Sequence, residues 1–169
     1  TVMALIWGGS AGVIFSFLVE MAIPASEFVT MAIVAPLAEE LAKASVFILV
    51  ATGARKLELT SLTDHIFYAG ICALGFAFVE NLGYFALSSS AGEFVVMALV
   101  RTGFGVFGHP LYTTATAVGI WAWRTKGGLW KAAVGYIAAC LLHGLWNGGP
   151  TLLAGSLGLD DTGQLAAMI

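Results

Sequence analysis

The sequence predicts an all-α fold, a polytopic transmembrane helix bundle of about five to six spans around a polar layer inside the membrane. Hydrophobic residues make up 59% of the 169 positions and charged residues only 10%, against about 25% in a soluble domain. Apolar runs of spanning length recur along the chain, separated by short polar, glycine or proline breaks. The few ionisable residues inside those runs fall at one depth on four of them. A single integral-membrane domain over residues 1–169, with its polar core at about 28–150, accounts for all of this.

The first span, residues 2–19, carries Gly8 and Gly12 on one helical face, a small-residue stripe that lets a second helix approach closely. The second, residues 28–50, has Glu39, Glu40 and Lys43 at its centre. Together these three cost about 8–10 kcal/mol on insertion, against about 3–7 kcal/mol returned by the segment's Leu, Ile, Phe and Val. It is a poor lone span and should face protein or a wet cavity. Lys43 follows Glu39 by four residues and Glu40 by three, so it can neutralise one carboxylate and leaves the other over.

The third span covers residues 66–87. The fourth, residues 94–123, is too long for an upright crossing of a core about 30 Å thick. Either it tilts strongly, or residues 94–101 lie at the interface ahead of the true span. The fifth, residues 130–153, is expected to stop near Asn147, because Gly148-Gly149-Pro150 breaks helices. The tail beyond it reads as interfacial or as a short sixth segment. Thr1 is not an initiator and nothing near it reads as a cleavable signal peptide. The chain is taken as part of something longer.

The connections 52–65 and 124–131 hold Arg55, Lys56, Arg124, Lys126 and Lys131, whereas 20–27 and 88–93 hold no Lys or Arg. The positive-inside rule puts the basic connections and the N-terminus in the cytoplasm, with Trp121, Trp123 and Trp130 as an inner aromatic belt. No basic-aromatic tract suggests nucleic acid. Cys72 and Cys140 both sit inside spans and read as small buried side chains. The letters GxGxxG occur at residues 103–108, but within an apolar span and with no preceding strand, so a dinucleotide site fails its context. Close helix packing explains these glycines better, as it does Gly144 and Gly148.

Counted from the basic end of each span, Glu40 and Glu39 are about 11 and 12 residues in, Glu80 and His109 about 14, and His143 about 13. At about 1.5 Å per residue they share a slab roughly 5 Å thick. His143 and Asn147 lie on one helix face, as do His109 and Thr113; Asn81 follows Glu80 directly. Pro36 and Pro110 each release a helix carbonyl beside this layer, which a membrane tolerates only against protein or water. Arg101 reads as snorkelling to its interface, and His65 as a surface residue beside a loop aspartate.

Glu39-Glu40-Leu41-Ala42-Lys43, Phe76-Ala77-Phe78-Val79-Glu80-Asn81, His109-Pro110-Leu111-Tyr112-Thr113 and His143-Gly144-Leu145-Trp146-Asn147 together resemble the four motifs of PrsW-type intramembrane proteases. These belong with CAAX-prenyl endopeptidases and bacteriocin-processing homologues in one superfamily. The resemblance implies a membrane peptidase of a prokaryotic cytoplasmic membrane, acting on a membrane-anchored protein. In the founding branch that protein is an anti-sigma factor, and the cut is the first one. It also implies that Glu80 helps to hold the reacting water.

Peptide hydrolysis needs an activated water, oxyanion stabilisation and a proton for the leaving amine. Glu39 is the candidate base and Glu40 its partner, with Lys43 keeping one of them ionised. His143 and Asn147 are candidate oxyanion donors, and Lys43, Asn81 and Thr113 support the layer. Zinc held by Glu39, Glu80, His109 and His143 is the other chemistry open to these residues. The richness in carboxylates and the Asn147 partner tip the sequence reading toward metal-free catalysis, with no cofactor. Two other classes stay open. One is a proton or cation pathway, which more often strings its polar groups across several depths; the other is an inactive scaffold of the same fold.

The charge asymmetry yields a direct expectation. Single cysteines introduced at residues 56 and 127 should label from the cytoplasmic side only; strong labelling from outside intact cells would reverse the orientation.

Overall fold

The computed structural model describes residues 2–52 and 59–157. Among these, the chain forms five helices and no strand. Helix α1 is Val2–Ala22. Helix α2 runs over residues 27–52, capped by Ser26, whose hydroxyl accepts from the Val29 amide. Helix α3 is Leu62–Ala86 and starts on a reciprocal cap, Ser61 with Asp64. Helix α4, Ala91–Lys126, is broken, and α5 is Trp130–Ser156. Helices α1, α3 and α4 are long and apolar enough to cross a membrane.

Outward faces are apolar, with Phe78, Leu111, Leu141 and Leu145 all exposed, as a lipid-facing surface requires. The charged centre of α2 turns inward: Glu39 is 5% exposed, and Glu40 and Lys43 are fully buried. The insertion cost read from the sequence is thus met by surrounding α2 with α1, α3, α4 and α5. At the end nearer the basic connections, Val46, Phe47 and Val50 of α2 pack with Tyr68, Ala69 and Cys72 of α3 and with Ala4 and Ala117. Cys72 and Cys140 are both buried and free, as expected.

Glycine sets the closest approaches. A Cβ on Gly8 would lie 1.9 Å from the Cys72 carbonyl oxygen, so α1 meets the α3 backbone there directly. A Cβ on Gly144 would lie 2.4 Å from the Ala32 carbonyl oxygen. The Ala35 amide there bonds to the Thr30 carbonyl, and Pro36 has no N–H for the next one, so the Met31 carbonyl is left without a helical donor and accepts from the Asn147 amide instead. Gly144 therefore brings α5 against the exact turn of α2 that Pro36 loosens, a turn wound as a π-helix over Thr30–Val34.

Several expectations are corrected. Helix α5 does not stop near Asn147 but continues through Pro150 to Ser156. Neighbouring helices make a proline tolerable in a membrane helix, and here α2 braces the stretch: Gly148 packs on Ala32 and Phe28, and the Asn147 amide donates to the Met31 carbonyl. The fourth span is not one continuous α-helix. It is an arm, Ala91–Val100, a π-helical turn, Arg101–Gly105, and a core segment, Gly108–Lys126. The glycines of residues 103–108 do not form a packing stripe. A Cβ on Gly103 meets nothing within 4 Å, and one on Gly108 meets the Tyr112 hydroxyl of the same helix. They lie where the helix unwinds. His65 is not a surface residue: it is 1% exposed, stacked on Phe47, with the Ser61 carbonyl and Arg124 on its two ring nitrogens. Arg55 and Lys56 of the orientation argument, and the sixth segment suggested beyond residue 157, lie outside the described residues.

Candidate active site

The site grows from the register of α2. Residues three and four apart share a helix face, so Lys43 reaches Glu40 Oε1 at 2.8 Å and Glu39 Oε2 at 3.4 Å. Its ammonium also lies 2.8 Å from His109 Nδ1 and 4.4 Å from the centre of the Phe76 ring. One cation thus touches both carboxylates, although only the Glu40 contact is short.

Glu40 accepts from three groups on three helices: Lys43, the Thr113 hydroxyl at 2.8 Å and His143 Nδ1 at 3.1 Å. Because a carboxylate only accepts, the Nδ1 of His143 carries the proton, and its Nε2 is the bare nitrogen. That nitrogen points to Glu39 Oε2 at 3.8 Å. The same logic fixes His109. An ammonium only donates, so His109 Nδ1 accepts from Lys43, and Nε2–H donates to Glu80 Oε2 at 2.9 Å. His109 Nδ1 is also 3.8 Å from Glu39 Oε2. The two imidazoles meet edge to face at 4.8 Å, and Tyr112 stacks on His143 at 5.1 Å.

Glu39, His109 and His143 each present one ligand atom, all within 4.8 Å of one another and all buried. Glu80 stands on the opposite edge of the His109 ring, apart from that group. Asn81 does not point at the imidazoles; its Oδ1 accepts from Arg101 Nε at 2.7 Å. Asn147 gives its amide to the Met31 carbonyl at 3.1 Å and lines the cavity described next.

A cavity of about 680 Å³ opens onto this layer, lined by residues of all five helices, among them Glu39, Glu80, His109, Tyr112 and Asn147. Two of its features escaped the sequence reading. Glu20, taken there as a connection residue, lies on α1 and lines the cavity. Arg101 does not snorkel outward; it is 7% exposed and pairs with Glu80 at 2.7 Å. The available signal was that an arginine inside an apolar run needs an acidic partner, and Glu80-Asn81 lacked one.

Compared with known protein families, the chain matches the PrsW family intramembrane metalloprotease over residues 1–169. No curated protein and no solved structure matches the chain.

The Lys43 contacts carry a stability prediction. In metal-free protein, Lys43→Met leaves Glu39 and Glu40 buried without their cation and should cost about 3–5 kcal/mol. Adding Glu40→Gln should recover part of the loss. Reversible unfolding in detergent micelles measures both, and an unchanged stability for Lys43→Met would show that the ammonium compensates nothing.

Proposed function

Because the chain belongs to the PrsW family of intramembrane metalloproteases, we propose that it hydrolyses a peptide bond of a membrane-anchored protein at the Glu39–His109–His143 layer. The observation that carries this reading is the meeting of three acceptors. The ring nitrogens His109 Nδ1 and His143 Nε2 each stand 3.8 Å from Glu39 Oε2, too far for a hydrogen bond. Acceptors gathered in this way are satisfied by a cation: the Lys43 ammonium reaches Glu39 Oε2 and His109 Nδ1, and a divalent cation bound by all three would displace it from His109.

Two imidazoles and a glutamate are the donor set of a catalytic zinc site with an open position, so the residues present fit the metal that the family's name implies. Glu39, His109 and His143 would hold a divalent cation, which would supply Lewis acidity toward the scissile carbonyl. The sequence reading leaned toward metal-free catalysis with Glu39 as base. The inward-facing lone pairs move our reading to metal-assisted hydrolysis by the same residues. Glu80 then leaves the ligand set and becomes an orienting group.

The rest of the layer has assignable work. Glu40 and Glu80 fix the two rings by holding the nitrogen that faces away from Glu39, the usual support of a ligating histidine. Thr113 and Lys43 hold Glu40 in turn. Glu80 also lines the cavity and is our candidate for moving the proton. It takes the proton of the attacking water as the water oxygen bonds to the carbonyl carbon, and returns it to the amine as the C–N bond breaks. Asn147, one turn beyond His143 on the same cavity, is the candidate oxyanion donor. Kinship points to an anti-sigma-type membrane protein as substrate, cut at its first site, in a prokaryotic cytoplasmic membrane.

The test is cleavage of a single-span, anti-sigma-type reporter by purified protein in liposomes. Glu39→Gln and His143→Ala should each lower the rate by about 10²–10⁴-fold while leaving helicity unchanged. Wild-type rates from a folded Glu39→Gln protein would remove Glu39 from the chemistry.

A further inference from the structure

We infer that Arg101 is a positioning residue of this site: by clamping Glu80 it fixes the ring of His109, so that Nδ1 faces Glu39. The inference deepens the peptidase reading and rests on it for its function, although the clamp itself is a matter of geometry. Arg101 Nη2 meets Glu80 Oε2 at 2.7 Å, and Arg101 Nε meets Asn81 Oδ1 at 2.7 Å. The guanidinium lies on the ring of Tyr84, 3.6 Å from its centre.

Glu80, Asn81 and Tyr84 form one patch of α3. Glu80 and Tyr84, four apart, lie on one face; Asn81 is rotated about 100° from Glu80. The planar fork of the guanidinium reaches both at once, through Nη2 and Nε, while its face stacks on the aromatic ring. This gives a physical reason for the adjacent Glu80-Asn81 pair and for an arginine at this depth.

The clamp is passed on by a single atom. Glu80 Oε2 accepts from Arg101 on one side and from His109 Nε2–H, at 2.9 Å, on the other. Without the guanidinium, this carboxylate can turn toward the cavity it lines, and His109 loses the acceptor that holds the Nε2 edge of its ring. Arg101 itself opens the π-helical turn Arg101–Gly105, which interrupts α4 between its arm and its core segment. Such turns are frequent at functional sites, and here the turn delivers a side chain to α3 rather than a kink alone.

The test reads the ring directly, without substrate or metal. Nitrogen-15 NMR of labelled histidines in micelles should show wild-type His109 protonated at Nε2 and bare at Nδ1. Arg101→Gln and Glu80→Gln should both shift the His109 Nε2–H resonance, which reports its hydrogen bond to Glu80, leaving the resonances of His143 unchanged. Arg101→Lys, which keeps the charge but not the fork, should fall between wild type and Arg101→Gln. On the liposome reporter, Arg101→Gln should lower kcat about 10–100-fold with KM held. A His109 signature that is untouched in Arg101→Gln, or identical to wild type in Arg101→Lys if the Gln variant does not fold, would overturn the inference. An absence of cleavage by wild type would count against the peptidase reading alone, since the NMR comparison stands without it.

Discussion

Lys43 carries a full charge at a site with no exposed surface, in a helix that lies among membrane-spanning neighbours. Its ammonium touches Glu39, Glu40 and His109, and nearly every other polar group of the layer is reached through one of these. An intramembrane charge persists only when partners cover it. That requirement dictates that α2 be surrounded, that Thr113 and His143 turn toward Glu40, and that His109 expose Nδ1 on the same side. The chemistry that we propose uses an arrangement which the cost of burying charge had already enforced.

The backbone meets the same constraint in its own way. Pro36 frees the Met31 carbonyl, and Asn147 donates to it from α5. Gly144 lets α5 come close enough for this, against the Ala32 carbonyl. These irregular turns cluster beside the polar layer rather than at random along the helices: Thr30–Val34 precedes the Glu39-Glu40 turn, and Arg101–Gly105 precedes His109. Loosened helix, buried charge and cavity share one level of the bundle, while Val46, Phe47, Tyr68 and Cys72 pack as an apolar core toward the other end.

Much of this was legible in the chain. Periodic apolar runs gave the helices, and the equal depth of Glu39, Glu40, Glu80, His109 and His143 gave the layer, because depth along a helix follows from residue count alone. What residue count does not carry is rotation and path. Helix α5 was expected to end at its glycines and proline, since local propensity sees Pro150 but not the bracing of α2. Arg101 was read as snorkelling because it stands near the interface end of its span; its pairing with Glu80 across two helices and the π-helical turn it opens are tertiary outcomes that hydropathy does not encode. The Glu39, Glu80, His109 and His143 set also looked uniform in sequence, whereas the fold puts Glu80 on the far edge of the His109 ring.

The central claim is that Glu39, His109 and His143 gather their lone pairs around a divalent cation, with Glu80 supporting from outside. Zinc titration of metal-stripped protein in micelles, followed by calorimetry and checked by elemental analysis, tests it most directly. The account predicts about one zinc per chain in wild type and in Asn147→Ala. It predicts loss of that site in Glu39→Gln, and binding weakened about 10–100-fold but still stoichiometric in Glu80→Gln. Stoichiometric zinc that persists in Glu39→Gln, or a fully active wild type that takes up none, would contradict it.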